Sequence, residues 1–284
     1  MAPHGPSSNH FLWHDLYAAR FEAFGPVRNV CFYPKEIIMP ASILRHALAA
    51  LFVVVGLSGR AQSTAVRTAI GLQASGFVYQ GDLTPAPLGS YKSLRPGLAL
   101  WVERQAFPRV SLRAQLLLGS ISASDGSYAT PAWRRQRDLA FHTSISELAL
   151  LALWDVGGGR SAFSPYVFTG AGLAMVRVHR DASGFQAAWF AGDKATIEGL
   201  AADMAQGPPR ALPVVPLGAG LRYMLSPAWS LHVETAYRLT STDYLDGFSR
   251  VANPLRNDHY QSLSISLRFR PGQTGRFGCP VMRQ

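Results

Sequence analysis

The chain has 284 residues, 48% of them hydrophobic and 15% charged, with a formal net charge of +10. The positive charge is mostly arginine, scattered rather than gathered into the basic patch that nucleic-acid binding needs, so nucleic acid is excluded as a partner. The longest apolar run, Ala47 to Leu57, is about half the length of a membrane-crossing helix, which argues against a helical membrane bundle.

Arg45 and His46 precede that run, and Ser58-Gly59-Arg60-Ala61 follows it. This is the layout of a secretory signal; a buried core helix is the competing reading. Counted from Met39, residues 39–61 are expected to be the signal and residues 1–38 an N-terminal extension. Residues 62–270 then form the main domain and 271–284 a C-terminal tail. Cys31 lies in the extension and Cys279 in the tail, so the exported part has no cysteine pair for a disulfide or a metal site. No cofactor is expected.

From Val66 onward the pattern is strand-like. Side chains alternate between the two faces of a strand, so period-two segments identify strands. They are expected at 66–79, 94–103, 110–120, 139–154, 166–177, 214–224, 229–239 and 260–269. The fourth is untidy. Phe141, Thr143 and Ile145 share a face, while Leu148, Leu150 and Trp154 have the opposite parity, and a bulge near Glu147 would restore the register. The seventh is clear: Leu231, Val233, Thr235, Tyr237 and Leu239 alternate with His232, Glu234, Ala236 and Arg238.

The connections decide between a soluble and a membrane barrel. Links 104–109, 155–165 and 225–228 are short; 80–93, 121–138, 178–213 and 240–259 are long. A transmembrane barrel sorts its connections this way, with tight turns on one rim and extended external loops on the other. A soluble barrel of the lipocalin type has no reason to. Tyr79, Tyr91, Trp101, Trp133, Phe141, Trp154, Tyr166, Phe168, Tyr223, Trp229, Tyr237 and Tyr244 fall near predicted strand ends, as aromatic girdles would. The expected fold is an all-β, eight-stranded antiparallel transmembrane barrel of outer-membrane type, located in the outer membrane and monomeric.

In such a barrel the apolar face meets lipid and the polar face lines the lumen. The predicted lumen charge network is Arg67, Arg113, Glu147, Arg222, Glu234, Arg238 and Arg268, with Gln73, Gln115 and His232 beside them. A small barrel is filled by its own side chains, and buried charges must be paired. Glu234 and Glu147 are therefore expected to accept from the arginines, with water or loop carboxylates satisfying the excess of bases. A plugged lumen is expected.

Several fragments resemble an uncharacterised outer-membrane β-barrel domain family of Bacteroidetes-type bacteria, domain of unknown function 6089. They are Tyr79-Gln80-Gly81-Asp82-Leu83, Phe141 with Glu147, Ser164-Pro165-Tyr166-Val167-Phe168, and Pro216-Leu217-Gly218. The most specific runs from Trp229-Ser230-Leu231 through Glu234 and Tyr237-Arg238 to Thr242-Asp243-Tyr244-Leu245-Asp246; Cys279-Pro280 resembles the family's tail. The resemblance covers roughly Arg67 to Cys279 and implies an outer-membrane barrel, with no activity attached. The residues before Met39, and His142 where similar sequences carry a basic residue, depart from it.

One pattern suggests catalysis. His142 and Ser144 share a strand face, and a His–Ser pair two apart beside lipid could act as an esterase if a carboxylate oriented the histidine. Glu147 has the wrong parity unless the strand bulges, so a polar lumen pair is the expected role and the protein is expected not to be an enzyme. Asp243, Asp246 and Asp258 match no calcium-loop spacing and are expected to be solvated loop acids. The expected contact surface for an external ligand or protein is the long loops, with Phe185, Trp189, Phe190, Asp243 and Asp246; a lid or short helix over the barrel mouth is the alternative for 178–213. The expected function is a structural, adhesion or surface-interaction role in contact with outer-membrane lipid, with a narrow porin or transporter as the alternative.

Overall fold

The structure is a computed structural model and describes residues 68–86, 89–157, 162–252 and 257–272. The expected signal and N-terminal extension, Arg67 and the Cys279-Pro280 tail lie outside the described residues. Eight antiparallel strands close into a barrel in chain order. They are β1 (Thr68–Gln80), β2 (Arg95–Phe107), β3 (Val110–Ser124), β4 (Ala140–Asp155), β5 (Phe163–Asp181), β6 (Ala211–Met224), β7 (Trp229–Thr240) and β8 (His259–Phe269). Closure is made by β8 pairing with β1, for example Leu72 opposite Leu267 and Tyr79 opposite Tyr260. Among the described residues two α-helices sit in the long connections, α1 (Trp133–Arg137) and α2 (Lys194–Ala205).

The outer wall is apolar where a water-soluble barrel would be polar. Leu150 is 67% exposed and Leu72 62%, and Leu98, Leu112, Leu148, Leu173, Leu263 and Ile265 join them in a belt around the barrel. Leaving so much aliphatic surface in water forgoes about 25 cal/mol for each Å² of it. The alternation is therefore that of a transmembrane barrel, with the apolar side outward.

The expected bulge in β4 is absent. Register with β3 runs unbroken from Val110 opposite Trp154 to Ser124 opposite Ala140. Phe141 and Ile145 point inward because the upper barrel holds a dry apolar core, where they pack with Phe77, Leu117, Ile121 and Val176. Leu148 and Leu150 point outward on the same strand. The change of parity in hydrophobicity marks a change of environment along the barrel.

The aromatic expectation also needs correction. Tyr79, Trp101, Phe141, Tyr166 and Phe168 are buried, not girdle residues. The exposed aromatics at the rim of short turns are Phe107, Trp154, Phe163, Tyr223 and Trp229. Phe163 packs on Tyr223 at 4.6 Å between ring centroids, and Trp229 on Phe269 at 4.7 Å.

Candidate functional site: a filled lumen under a roofed mouth

The lower lumen is built around Glu103, which β2 places on the inner face. Its side chain is fully buried and is approached by three guanidinium groups. Arg113 Nη2 lies 3.0 Å from one carboxylate oxygen, Arg268 Nη2 3.1 Å from the other, and Arg222 Nη2 3.7 Å away. Arg113 also donates to Glu234 at 2.6 Å, and Arg222 to Asp155 at 3.1 Å. Three carboxylates thus meet three arginines within ion-pair distance. The Arg113 guanidinium stacks 4.2 Å over the Trp101 ring, which closes the section on that side.

His232 completes the layer through proton bookkeeping. The Tyr166 hydroxyl donates its single proton to Glu234 and stands 3.0 Å from His232 Nδ1. The imidazole must then donate from Nδ1, while Nε2 lies 3.1 Å from the Ser230 hydroxyl, which can act as donor or acceptor.

A second layer lies nearer the mouth. Arg238 Nε donates to Glu147 at 2.7 Å, Tyr260 donates to the same oxygen at 2.8 Å, and Arg238 Nη1 donates to Ser262 at 2.8 Å. The predicted lumen residues Arg113, Glu147, Arg222, Glu234, Arg238 and Arg268 all face inward, with Gln73 and Gln115 beside them. They form two clusters, not one. The expectation that water or loop carboxylates balance an excess of bases is corrected: Glu103 and Asp155, from the strands themselves, supply the missing charge. Glu103 stood on the polar face in the sequence, but its role depends on which strands meet across the lumen.

Above the second layer the loops fold back into the mouth. Leu83, Leu245, Phe248 and Val251 pack into the same core as Phe77, Phe141 and Tyr260. The Thr143 hydroxyl donates to the carbonyl of Leu245 at 2.8 Å, tying the last loop to the barrel wall. Helix α2 holds that loop down through buried Asp203, which accepts from the backbone N–H groups of Ser249, Arg250 and Val251 at 3.0, 3.1 and 3.0 Å. The helix starts where it does because Asp193 caps it, accepting from Thr196 N at 3.3 Å. Gly247 has a positive φ of 84° and the Arg180 side chain lies against it, so a larger residue is disfavoured at this bend. The second long loop has a similar anchor: Asp125 accepts from Arg134 at 2.6 Å and from Arg137 at 2.5 Å.

Asp243 and Asp246 are buried, which corrects the expectation of solvated loop acids. Asp246 and Asp258 both contact the Tyr79 hydroxyl, at 2.7 and 2.6 Å. One hydroxyl proton cannot serve two carboxylates, so one carboxyl retains a proton of its own. Burial pushes both acids up, and the Asp246 charge adds to the rise at Asp258. Asp243 is pushed up to about 7, chiefly by burial, with the charges of Asp82 and Asp203 adding to the rise and Ser249 opposing it. Among the described residues no set of three or more acidic, histidine or cysteine side chains is placed to hold a metal ion.

Of the remaining predicted loop residues, Trp189 and Phe190 line an external cleft and Phe185 packs behind Phe190. Phe185 stacks on Phe190 at 5.1 Å, and Trp189 meets Phe190 edge-on at 4.8 Å. Trp189 and Trp133 remain exposed and face a cleft of about 540 Å³ that Arg137, Asp193 and Thr196 also line. The His142–Ser144 pair is not in the lumen. Both face outward, while Glu147 on the inner face is engaged by Arg238 and Tyr260 and cannot orient the imidazole.

No family model matches the chain, and neither does any curated protein sequence. Solved structures do. Neisserial surface protein A is 14% identical, covering 73% of this chain and 99% of its own, with a TM-score of 0.40. Ail, the attachment invasion locus protein of Yersinia pestis, solved with the heparin analogue sucrose octasulfate, is 12% identical, covering 71% and 97%, with a TM-score of 0.38. A major outer membrane protein from Thermus thermophilus is 13% identical, covering 71% and 99%, with a TM-score of 0.40. The likeness is one of fold, and this chain's fold is the closed eight-stranded antiparallel barrel of outer-membrane type.

Proposed function

We propose that this protein resides in the outer membrane as a non-catalytic, non-conducting surface protein that meets an external ligand or protein through its long loops. The observation that carries this reading is the inside-out distribution of polarity. Aliphatic side chains cover the outer wall while four acids and four arginines pair inside. Lipid is the solvent that makes such a wall stable. The Trp133–Trp189 cleft supports contact with a ligand, since exposed aromatics flanked by charged groups are an expensive surface to leave in water without use. Membership of the family that the sequence resembles is part of the same proposal.

Outer-membrane fractionation followed by gel mobility with and without heating tests the location. The protein is expected in the outer-membrane fraction, with an unheated band that migrates faster than the heated one. Recovery as a soluble periplasmic species would overturn the proposal.

A further inference from the structure

The outer wall carries one patch that the belt does not explain. Toward the external ends of β3, β4 and β5 the outward side chains turn from aliphatic to polar and cationic. Register sets His142 opposite His179 and Ser144 opposite Arg177, all facing away from the lumen. On the other side His142 is opposite Ser122, to whose hydroxyl Arg95 donates at 2.6 Å. Beside Arg95, at the rim, a cleft of about 200 Å³ opens, with Lys92, Ser124, Ser127 and Tyr128 on its walls and Ala123 and Phe141 of the inner core also lining it. Lys92 Nζ stands 5.8 Å over the Tyr128 ring.

Among the described residues no carboxylate lies within ion-pair distance of Lys92, Arg95, Arg177 or His179. The acid next along β5, Asp181, accepts from the backbone N–H and hydroxyl of Ser183 at 2.9 and 2.7 Å through one oxygen, and makes no ion pair with the patch. Inside the lumen Arg113, Arg222, Arg238 and Arg268 are each paired with an acid, whereas the cations gathered on this outer wall are not. The adjoining wall lacks the feature: near the external ends of β6 and β7 the outward residues are Val215 and Leu239.

Just below the patch the outward face becomes apolar within two residue pairs, at Leu148 opposite Leu173. Each residue advances about 3.3 Å along a strand, so a single amphiphile can reach both zones. Guanidinium, ammonium and hydroxyl donors suit phosphate oxygens, and here, among the described residues, they outnumber the single carboxylate on the same outward face, Asp181.

We propose that this wall binds a phosphorylated glycolipid of the outer leaflet, with phosphate at Arg95, Arg177, His142 and Lys92 and acyl chains against the belt below. A free anion would use only the upper half of the site, where the attraction is screened by salt. The proposal rests on the membrane placement above.

The test uses the full-length folded protein in phosphatidylcholine vesicles containing either a phosphorylated glycolipid or its dephosphorylated counterpart, followed by mass spectrometry of lipid retained after gentle extraction. The native protein is expected to retain the phosphorylated form about tenfold better. A variant with Arg95→Gln, Arg177→Gln, His142→Gln and His179→Gln should lose that preference yet keep its heat-shifted band. Arg109→Gln, in the turn at the opposite rim, should keep the preference. Equal retention of both lipids by the native protein, or an undiminished preference in the fourfold variant, would overturn the proposal. So would complete displacement by inorganic phosphate, which would mark a free-anion site. Failure of the native barrel to show a heat-shifted band in vesicles would instead sink the membrane placement, and this proposal with it.

Discussion

Replacing Glu103 by alanine is expected to destabilise the folded barrel by about 3–5 kcal/mol, the range found when one partner of a buried ion pair is removed. The carboxylate is the common acceptor for Arg113, Arg268 and Arg222. After its loss Arg113 keeps Glu234 and Arg222 keeps Asp155, but Arg268 is left without its acid. The lower lumen then holds two carboxylates against three guanidiniums, and the excess charge must draw in water or an anion. Arg104→Gln, next along the strand but on the exposed outward face, should stay within about 0.5 kcal/mol of the native protein. Urea unfolding in lipid vesicles, followed by the heat-shifted band, measures both. A loss under about 1 kcal/mol for Glu103→Ala would refute the view of Glu103 as the centre of the plug.

The roof over the mouth is expected to loosen as pH rises, by about tenfold or more in amide protection between roughly pH 5 and pH 8. The sign follows from the direction of the shifts. Burial raises Asp243 to about 7 and raises Asp246 and Asp258 as well. Acids with raised folded-state values favour the folded roof fully below the ordinary carboxylate range. That contribution is lost as pH climbs through the raised values, because unfolded carboxylates ionise first. The reporting amides are Leu245, Asp246 and Phe248, which donate to the Asp258 and Asp246 carboxylates. Hydrogen exchange, corrected for its intrinsic pH dependence, reads their protection. Asp246→Asn supplies the neutral form permanently and can donate to the Tyr79 oxygen, so the part of the dependence that comes from the shared proton should vanish while that of Asp243 remains. Protection that stays level or increases toward pH 8 in the native protein would count against the shared proton.

The barrel itself was legible in the sequence, because period-two alternation and the sorting of short and long links follow directly from strand geometry and a two-rimmed architecture. Inward placement of Arg113, Glu234 and Arg238 follows from parity alone. What parity cannot supply is height. Phe141 and Ile145 point inward into a dry core, and Leu148 points outward toward the belt, so a hydrophobic pattern that changes face looked like a bulge. Trp101 and Tyr166 read equally well as girdle or filling until the lumen partners, Arg113 for one and Glu234 for the other, are known. Asp155 sits at the last position of β4, where the sequence suggests only a turn, yet it reaches Arg222. The loops were least legible. Burial of Asp243 and Asp246 depends on how far the last loop folds back, which is fixed by Asp203 and Thr143 at a long distance in the chain.

A lumen filled by two layers of paired charge, with loops packed into its mouth, should not pass ions. Planar-bilayer recording of the purified, folded protein measures this. No steady single-channel steps are expected from the native protein. Robust, reproducible conductance from folded, heat-shifted protein would contradict it.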